Sequence, residues 1–197
     1  MRFLIFNYGA GNLFSIRAAL KKEGVSSDIT RTGAGVRQAD AIVLPGVGSF
    51  DQASRALPMP RLREQIESGK PVLGICLGLQ LFFASSEEGR GKGLSVLDGR
   101  VRRFPSSVKV PQIGWNTLNV IRSSRLAEGV PTGSWVYYVN SYYPEAKGRC
   151  VAATTSYGVD FPAMVEDRNL FGTQFHPEKS GTAGRTILRN FVRVVKR

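Results

Sequence analysis

The first half of the chain alternates short apolar runs with stretches in which apolar residues recur at helical spacing. The apolar runs that predict strands are Arg2–Phe6, Asp28–Thr30, Ala41–Leu44 and Val72–Ile75. Between the first two runs, the apolar spacing predicts a helix that ends at Gly24. The apolar face of this helix consists of Leu13, Ile16, Ala19 and Leu20. Strands that alternate with helices are typical of a parallel sheet with helices on both faces.

Beyond Gly99 the pattern changes to closely spaced strands. The predicted strands are Val101–Phe104, Asn116–Ile121, Trp135–Val139, Cys150–Ser156, Phe161–Glu166 and Leu170–Gln174. A final helix is predicted from about Thr182 to Val195, and its apolar residues recur at a spacing that indicates core packing. The chain is therefore predicted to be an α/β protein, with a mostly parallel central sheet and an antiparallel β extension.

Length and composition fit one domain over residues 1–197, because 197 residues with 42% hydrophobic content can bury a full core. The chain starts with a predicted strand rather than a signal peptide, and no apolar run approaches the roughly 18 residues of a membrane span. We therefore expect a cytoplasmic protein that does not bind membranes. One histidine and two cysteines, Cys76 and Cys150, are too few for a disulfide framework or a convincing zinc site, so we expect no metal and no cofactor.

The net charge of +12 comes from 27 basic and 15 acidic residues and raises the possibility of nucleic-acid binding. The basic residues group in two places, at Arg100, Arg102 and Arg103 and along the final helix at Arg185, Arg189, Arg193, Lys196 and Arg197. No basic stripe alternates with stacking aromatics, so we expect no nucleic-acid partner. A solvated helix face explains the second group as well as an acidic partner or a phosphorylated substrate does.

Cys76 has the sequence context of a nucleophile. The buried strand at residues 72–75 precedes it, and residues 77–83 predict the start of an amphipathic helix. Gly-Ile-Cys-Leu-Gly at residues 74–78 is the thiol version of the nucleophile elbow, a strained strand-to-helix turn in which flanking glycines remove colliding side chains. The turn directs the Leu77 N–H and the positive end of the helix towards the thiolate, which supplies half of an oxyanion hole. The alternative, a small core residue before a helix, is disfavoured by the two glycines.

His176 is the only histidine and lies in Gln-Phe-His-Pro-Glu-Lys-Ser at residues 174–180. In extended backbone, residues i and i+2 point to the same side, so His176 and Glu178 can project together. Pro177 disfavours helix at His176. A carboxylate bonded to one ring nitrogen leaves the other free to take a proton. A lone histidine is more often a surface or core residue, but together with Cys76 it predicts a thiol nucleophile, an imidazole base and an orienting carboxylate.

A loop next to the elbow is expected to provide the second oxyanion donor. The predicted strand at residues 41–44 ends in Pro-Gly-Val-Gly-Ser-Phe at residues 45–50. Glycines on both sides make the peptide of Val47 easy to reorient, so we expect the N–H of Val47 or Gly48 to face the oxyanion. Such a loop on its own is usually only a turn.

These motifs resemble the class I, triad-type glutamine amidotransferases, and the resemblance covers the whole chain. Within that class, further segments are similar to the glutaminase subunits of imidazole glycerol phosphate synthase, from histidine biosynthesis. The matching segments are residues 7–12, 44–50, 111–116, 141–143 and 176–180. The resemblance implies a flavodoxin-like fold and hydrolysis of L-glutamine to L-glutamate and ammonia.

The resemblance also implies roles for single residues. Cys76 would form a glutamyl thioester, His176 would protonate the leaving ammonia and then activate water, and Glu178 would orient His176. The residues that would hold glutamine are Gly48, Gln80, Glu88, Ser141 and Tyr142. Glu88 is suited to pair with the substrate ammonium, although an acid in this position is otherwise read as a solvated surface charge.

In the family, ammonia passes to a (β/α)8-barrel cyclase subunit, so the resemblance implies a heterodimer with such a partner. The residues that match segments at or near that interface are Asn12, Gln112, Trp115 and Lys179. Taken on their own, Trp115 is typical of a core aromatic and Lys179 of a surface charge.

One position departs from the family pattern, because Asn140 stands where the family usually has a histidine. Asparagine can form hydrogen bonds there but does not titrate near neutral pH. Three alternatives to the leading interpretation stay open. They are an amidotransferase subunit of a different ammonia-using synthase, a stand-alone cysteine hydrolase, and a non-catalytic basic protein.

Overall fold

The computed structural model describes residues 1–9, 12–46, 48–146 and 148–197. Its strands are β1 Arg2–Phe6, β2 Ser26–Thr30, β3 Ala41–Leu44, β4 Val72–Ile75, β5 Gly99–Arg103, β6 Gln112–Val120, β7 Ser134–Asn140, β8 Tyr142–Ala146, β9 Val151–Ser156, β10 Asp160–Asp167 and β11 Leu170–Thr173. Its α-helices are α1 Leu13–Lys22, α2 Phe50–Ala56, α3 Met59–Glu67, α4 Leu77–Gln80 and α5 Gly181–Lys196. Two short 3₁₀ turns cover Gly148–Cys150 and Pro177–Lys179.

Nine of the described strands form one sheet in the order β2-β1-β3-β4-β11-β10-β9-β6-β7. The first five strands in this order are parallel, and every pairing from β11 to β7 is antiparallel. Strands β5 and β8 form a separate antiparallel pair. The α/β class, with a parallel sheet and an antiparallel extension, is confirmed.

The helices cover both faces of the parallel part because its strands are apolar on both sides. On β1, Phe3 and Ile5 pack in the same cluster as residues of α1 and α5, while Leu4 and Phe6 pack with residues of α2 and α3. This alternation follows from the two-residue period of a strand. The site therefore rests on an apolar layer at the carboxyl ends of parallel strands, where α/β proteins place their ligands.

Several element boundaries differ from the predictions. The helix predicted over residues 77–83 ends at Gln80, and a turn follows it. Strand β6 starts four residues earlier than predicted, at Gln112 instead of Asn116, and β8 was not predicted at all. Among the described residues, no helix is both long enough and apolar enough to span a membrane.

Candidate active site

Cys76 lies at the junction between β4 and α4, with φ of 52° and ψ of −107°. A positive φ is rare for a residue with a side chain and marks local backbone strain, which is common at functional sites. The two neighbouring glycines make this turn possible. A Cβ atom at Gly78 would overlap the carbonyl oxygen of Leu44, and one at Gly74 would collide with the backbone of Gly78. The elbow therefore packs closely against β3.

His176 and Glu178 form a buried pair, with His176 Nδ1 2.9 Å from Glu178 Oε1 and side-chain exposures of 4% and 3%. The sequence argument assumed an extended backbone from His176 to Glu178, and the structure differs from this assumption. His176 is extended, but Pro177–Lys179 is a 3₁₀ turn, and it is this turn that brings the carboxylate back to the imidazole ring.

Strand β7 and Ser180 hold the histidine segment in place. The N–H of His176 donates to the Tyr137 carbonyl at 2.9 Å. The Ser180 hydroxyl donates to the His176 carbonyl at 2.6 Å and accepts from the Tyr137 N–H at 3.0 Å. Sequence reasoning missed Ser180, because a serine before a helix is typical of an ordinary helix cap.

Two neighbouring groups act on the His176 imidazole. Burial lowers the pKa of His176, but the Cys76 thiolate and the Glu178 carboxylate outweigh this effect and raise the pKa to about 10. His176 Nε2 is buried and makes no regular hydrogen bond with any described residue. Catalytic hydrogen bonds are often long or poorly aligned before substrate binds. With Nδ1 held by Glu178, Nε2 is the ring nitrogen that is available for proton transfer.

The predicted oxyanion donors are the backbone N–H groups of Leu77 and of Val47 or Gly48. The Leu77 N–H donates to the Gly46 carbonyl at 3.3 Å, so it is already engaged. Gly48 has φ of 123° and lines the cavity beside Cys76. Val47 lies outside the described residues. The hydroxyl of Tyr8 is buried beside Gly46 and has no hydrogen-bond partner among the described residues.

A cavity of about 230 Å³ opens beside Cys76. Its lining includes all five residues expected to hold glutamine, namely Gly48, Gln80, Glu88, Ser141 and Tyr142. Its other lining residues are Cys76, Leu77, Pro111, Ile113, Val139 and Asn140. A cavity of this size suits a small molecule.

Glu88 presents a partly committed carboxylate to this cavity. Its Oε2 accepts the backbone N–H of Phe50 at 2.7 Å, at the start of α2. The pKa of Glu88 is raised above its usual value, chiefly by burial and also by Asp51, and the Phe50 N–H opposes this rise only in part. A carboxylate that accepts one hydrogen bond keeps further acceptor sites for a cationic group.

Asn140, the residue that departs from the family pattern, is buried in the cavity wall. Its Nδ2 donates to the Tyr142 carbonyl at 2.9 Å. The carboxamide thus helps to hold the segment that carries Ser141 and Tyr142, without a titrating group.

Of the four predicted interface residues, Asn12, Trp115 and Lys179 are exposed. Asn12 caps α1, since its side chain accepts the Ser15 N–H at 3.1 Å. Gln112 is buried, with 4% exposure, and its place at or near a partner interface stays a prediction. Strand alternation turns Gln112 inward while its neighbour Ile113 faces out.

An exposed apolar face on β6 and β7 extends away from the cavity. Ile113 and Val139 lie at the cavity, and Trp115 packs edge-to-face on Tyr137 with ring centroids 5.8 Å apart. Trp135, 60% exposed, continues the face, and Lys179 Nζ lies 5.6 Å from the centroid of the Tyr137 ring. Large exposed aromatic residues next to a cavity are typical of an interaction surface. Sequence reasoning identified Trp115 but missed Ile113 and Trp135.

Comparison with known proteins places this geometry in a family. The model of the glutamine amidotransferase class-I family matches residues 4–195. The chain belongs to the class-I glutamine amidotransferases. Within the described ranges of this amidotransferase, no group of three or more histidine, cysteine, aspartate or glutamate side chains could hold a metal ion.

Relatives of this amidotransferase include imidazole glycerol phosphate synthase subunits HisH. The HisH of Archaeoglobus fulgidus is 48% identical over 196 residues, covering 98% of both chains. The HisH of Bacillus cereus is 43% identical over 197 residues, covering 98% of this chain and 94% of its own. The amidotransferase therefore belongs to the HisH branch of the class-I family.

Two solved structures from Thermotoga maritima share the fold at low sequence identity. The structure of PurLQS has a TM-score of 0.80 at 19% identity and covers 98% of both chains. A glutamine amidotransferase has a TM-score of 0.72 at 18% identity, covering 100% of this chain and 99% of its own. Both support the class-I amidotransferase fold.

Proposed function

We propose that this chain is the glutaminase subunit of imidazole glycerol phosphate synthase in histidine biosynthesis. It hydrolyses L-glutamine to L-glutamate and ammonia and delivers the ammonia to a (β/α)8-barrel cyclase subunit in the cytoplasm. The observation that carries the proposal is the strained Cys76 beside the buried His176–Glu178 pair, at a cavity that contains a carboxylate. A reduced cytoplasmic setting suits a nucleophilic thiol.

The proposed chemistry assigns one task to each triad residue. The Cys76 thiolate attacks the side-chain carbonyl of glutamine, and the protonated His176 gives its proton to the departing nitrogen, which leaves as ammonia. The resulting thioester is neutral at sulfur, so the thiolate no longer raises the pKa of His176. The imidazole then takes a proton from water, hydroxide attacks the thioester, and glutamate and the thiolate are released.

The oxyanion formed in each attack needs backbone donors, and one of the expected donors is engaged elsewhere in this structure. The Leu77 N–H is bonded to the Gly46 carbonyl, so that bond has to open before Leu77 can act as a donor. Gly46 and Gly48 flank the peptide expected to supply the second donor. A loop that rearranges when the partner binds would restrict ammonia production to the assembled complex.

We expect Gly48→Val to abolish most glutamine hydrolysis while the fold persists. Gly48 has φ of 123°, which a β-branched residue cannot adopt without strain, so the loop loses the orientation that presents its N–H. Loss of one oxyanion donor lowers kcat by roughly 10²–10³-fold. The measurement is glutaminase kcat in the presence of the cyclase. Gly129→Val is the control, since Gly129 also has positive φ, 72°, with open space around it. Unchanged turnover in Gly48→Val would remove the loop from the mechanism.

The apolar face beside the cavity supports the choice of partner. Ammonia released into water would be lost to the synthase. A partner that binds at Ile113, Trp115 and Trp135 would cover the mouth of the cavity and prevent this loss. Asn12 and Lys179, both exposed, extend the proposed interface.

We expect Lys179→Ala to weaken the coupling between the two active sites. Lys179 directly follows Glu178 in the 3₁₀ turn, and its side chain lies over the Tyr137 ring. It therefore links the turn that carries Glu178 to the exposed face of β6 and β7. The stimulation of glutaminase activity by ligand bound at the cyclase should fall about 5-fold or more. A change of this size corresponds to a typical coupling free energy between two sites. The assay titrates the liganded cyclase into the variant. Lys196→Ala, an exposed lysine at the end of α5, should keep normal stimulation. Wild-type stimulation in Lys179→Ala would contradict this assignment.

A glutaminase assay with and without the co-purified barrel subunit tests the function as a whole. Activity that rises sharply with the partner and its nucleotide substrate supports the proposal. Partner-independent hydrolysis with no preference for glutamine would indicate a stand-alone cysteine hydrolase. Stimulation by a different synthase, and not by the cyclase, would assign the chain to another amidating system.

A further inference from the structure

Gln174 is a buried polar residue that touches the nucleophile, and the mechanism above does not use it. It follows β11 and has no exposed surface. Its backbone N–H donates to the Ala163 carbonyl at 2.9 Å, which fixes the main chain. Its side-chain Nε2 lies 3.4 Å from the Cys76 sulfur. A carboxamide buried against a catalytic sulfur is costly unless its polar atoms are satisfied.

Neighbouring carbonyls determine which end of the Gln174 carboxamide faces the sulfur. Gln80 Nε2 donates to the Tyr142 backbone carbonyl at 3.0 Å, and a carbonyl oxygen can only accept. The same Gln80 nitrogen lies 3.0 Å from Gln174, so the Gln174 atom at that contact must be its oxygen. The amide nitrogen of Gln174 is therefore the end directed at Cys76, as a hydrogen-bond donor.

The surroundings of the sulfur give this donor a specific task. The neutral Cys76 thiol can donate to the Val139 carbonyl, 3.8 Å away, but a thiolate faces that carbonyl as an unfavourable negative dipole. Among the residues that the structure describes, the titratable groups near the sulfur are His176, with Glu178 behind it, and Tyr8, while Glu88 lines the same cavity. Gln174 is neutral at every pH, so its N–H favours the thiolate without adding a charge of its own.

We propose that Gln174 is a further catalytic residue, whose side-chain N–H stabilises the Cys76 thiolate in the free enzyme and again when the thioester breaks down. The inference rests on the proposed function, in which Cys76 attacks glutamine. A hydrogen bond to the charged form of a group favours that form. The Gln80–Gln174 contact orients the carboxamide, so Gln80 supports the nucleophile as well as lining the cavity.

The test compares the pH dependence of Cys76 alkylation by iodoacetamide in the intact heterodimer, wild type against Gln174→Met. Methionine keeps most of the side-chain volume and removes the donor. We expect the midpoint of the alkylation curve to move upward by roughly one pH unit or more. Glutaminase kcat should fall while KM for glutamine stays nearly constant, because Gln174 does not line the cavity.

Two further variants keep the test decisive. Gln174→Glu preserves shape but places a carboxylate beside the sulfur, so it should shift the midpoint further than methionine does, and it replaces Gln174→Met if that variant does not fold. Gln65→Met removes another buried carboxamide, on α3, and should leave the midpoint unchanged.

Midpoints equal to wild type in both Gln174 variants would overturn the inference. This result is distinguishable from failure of the proposed function, which would appear as a wild-type heterodimer that does not hydrolyse glutamine. The alkylation curve reports on Gln174 in either case.

Discussion

Cys76→Ala will fold, bind its partner and lose glutamine hydrolysis by about 10⁴-fold or more, because no other group can form the thioester. Alanine keeps the Cβ atom at the strained elbow, so the packing of β4 and α4 changes little. The measurement is glutaminase kcat/KM of the complex. Ammonia supplied in place of glutamine should restore product formation by the cyclase, since it bypasses only the missing step.

Cys150→Ala is the matched control for this experiment. Burial raises the pKa of the Cys150 thiol, with Asp167 acting in the same direction, so this cysteine is poorly suited to attack. We expect near wild-type glutaminase activity in Cys150→Ala and full labelling of Cys76 by a glutamine-like diazo ketone. Retained hydrolysis in Cys76→Ala, or its loss in Cys150→Ala, would contradict the assignment of the nucleophile.

The elbow could be predicted from sequence because its requirements are local. The tight turn at Cys76 needs small residues two positions before and after it, and those contacts lie within β4, α4 and the adjacent β3. The apolar character of β1, β3 and β4 likewise follows from burial on both faces of a parallel sheet. Sequence patterns report the turn directly because Gly74, Cys76 and Gly78 are close in the chain, whereas the contact of Gly78 with Leu44 on β3 becomes visible only in the fold.

The groups that support the triad could not be predicted, because their roles depend on contacts between distant segments. Gln174 meets Cys76 across 98 residues of chain and Gln80 across 94. Ser180 donates to the nearby His176 carbonyl, but its bond with the Tyr137 N–H exists only once β7 is in place. In the sequence these residues are ordinary polar positions beside a motif.

The path of the chain after His176 was mispredicted for a related reason. A histidine and a carboxylate two residues apart can meet in an extended strand, and here they meet across a 3₁₀ turn. The spacing alone does not distinguish these two backbone conformations. Pro177 is compatible with both, since it fixes φ near −65°. The bonds from Lys179 N–H to the His176 carbonyl and from Ser180 N–H to the Pro177 carbonyl select the turn.

Glu178→Gln will lower kcat by roughly 10²–10⁴-fold and move the alkaline limb of the pH profile to lower pH. Burial lowers the pKa of His176, while Cys76 and Glu178 raise it to about 10. The protonated imidazole is the form that gives its proton to the departing nitrogen, so activity is lost as pH rises through this pKa. Removing the carboxylate removes one of the raising interactions, and the imidazolium then deprotonates at a lower pH.

The neutral amide also disturbs the second half of the reaction. In the thioester, Cys76 carries no charge, so Glu178 is the remaining group that raises the pKa of His176 against burial. A glutamine at position 178 can donate to Nδ1 and thereby select the tautomer with its proton on Nε2, which cannot accept a proton from water. We therefore expect the thioester to accumulate in Glu178→Gln, detectable as a burst of ammonia followed by slow release of glutamate.

The comparison variant is Glu166→Gln, which removes another largely buried carboxylate, one that pairs with Arg125 and accepts the Ser124 hydroxyl. Its loss should lower the melting temperature and leave the pH profile in place, because Glu166 supports the fold and not the imidazole. The contrary result is a Glu178→Gln variant whose alkaline limb stays at the wild-type position and whose kcat is within about threefold of wild type. It would show that the carboxylate neither raises the pKa of His176 nor orients its ring. The buried 2.9 Å contact between them would then be structural, and the base would owe its raised pKa to the Cys76 thiolate alone.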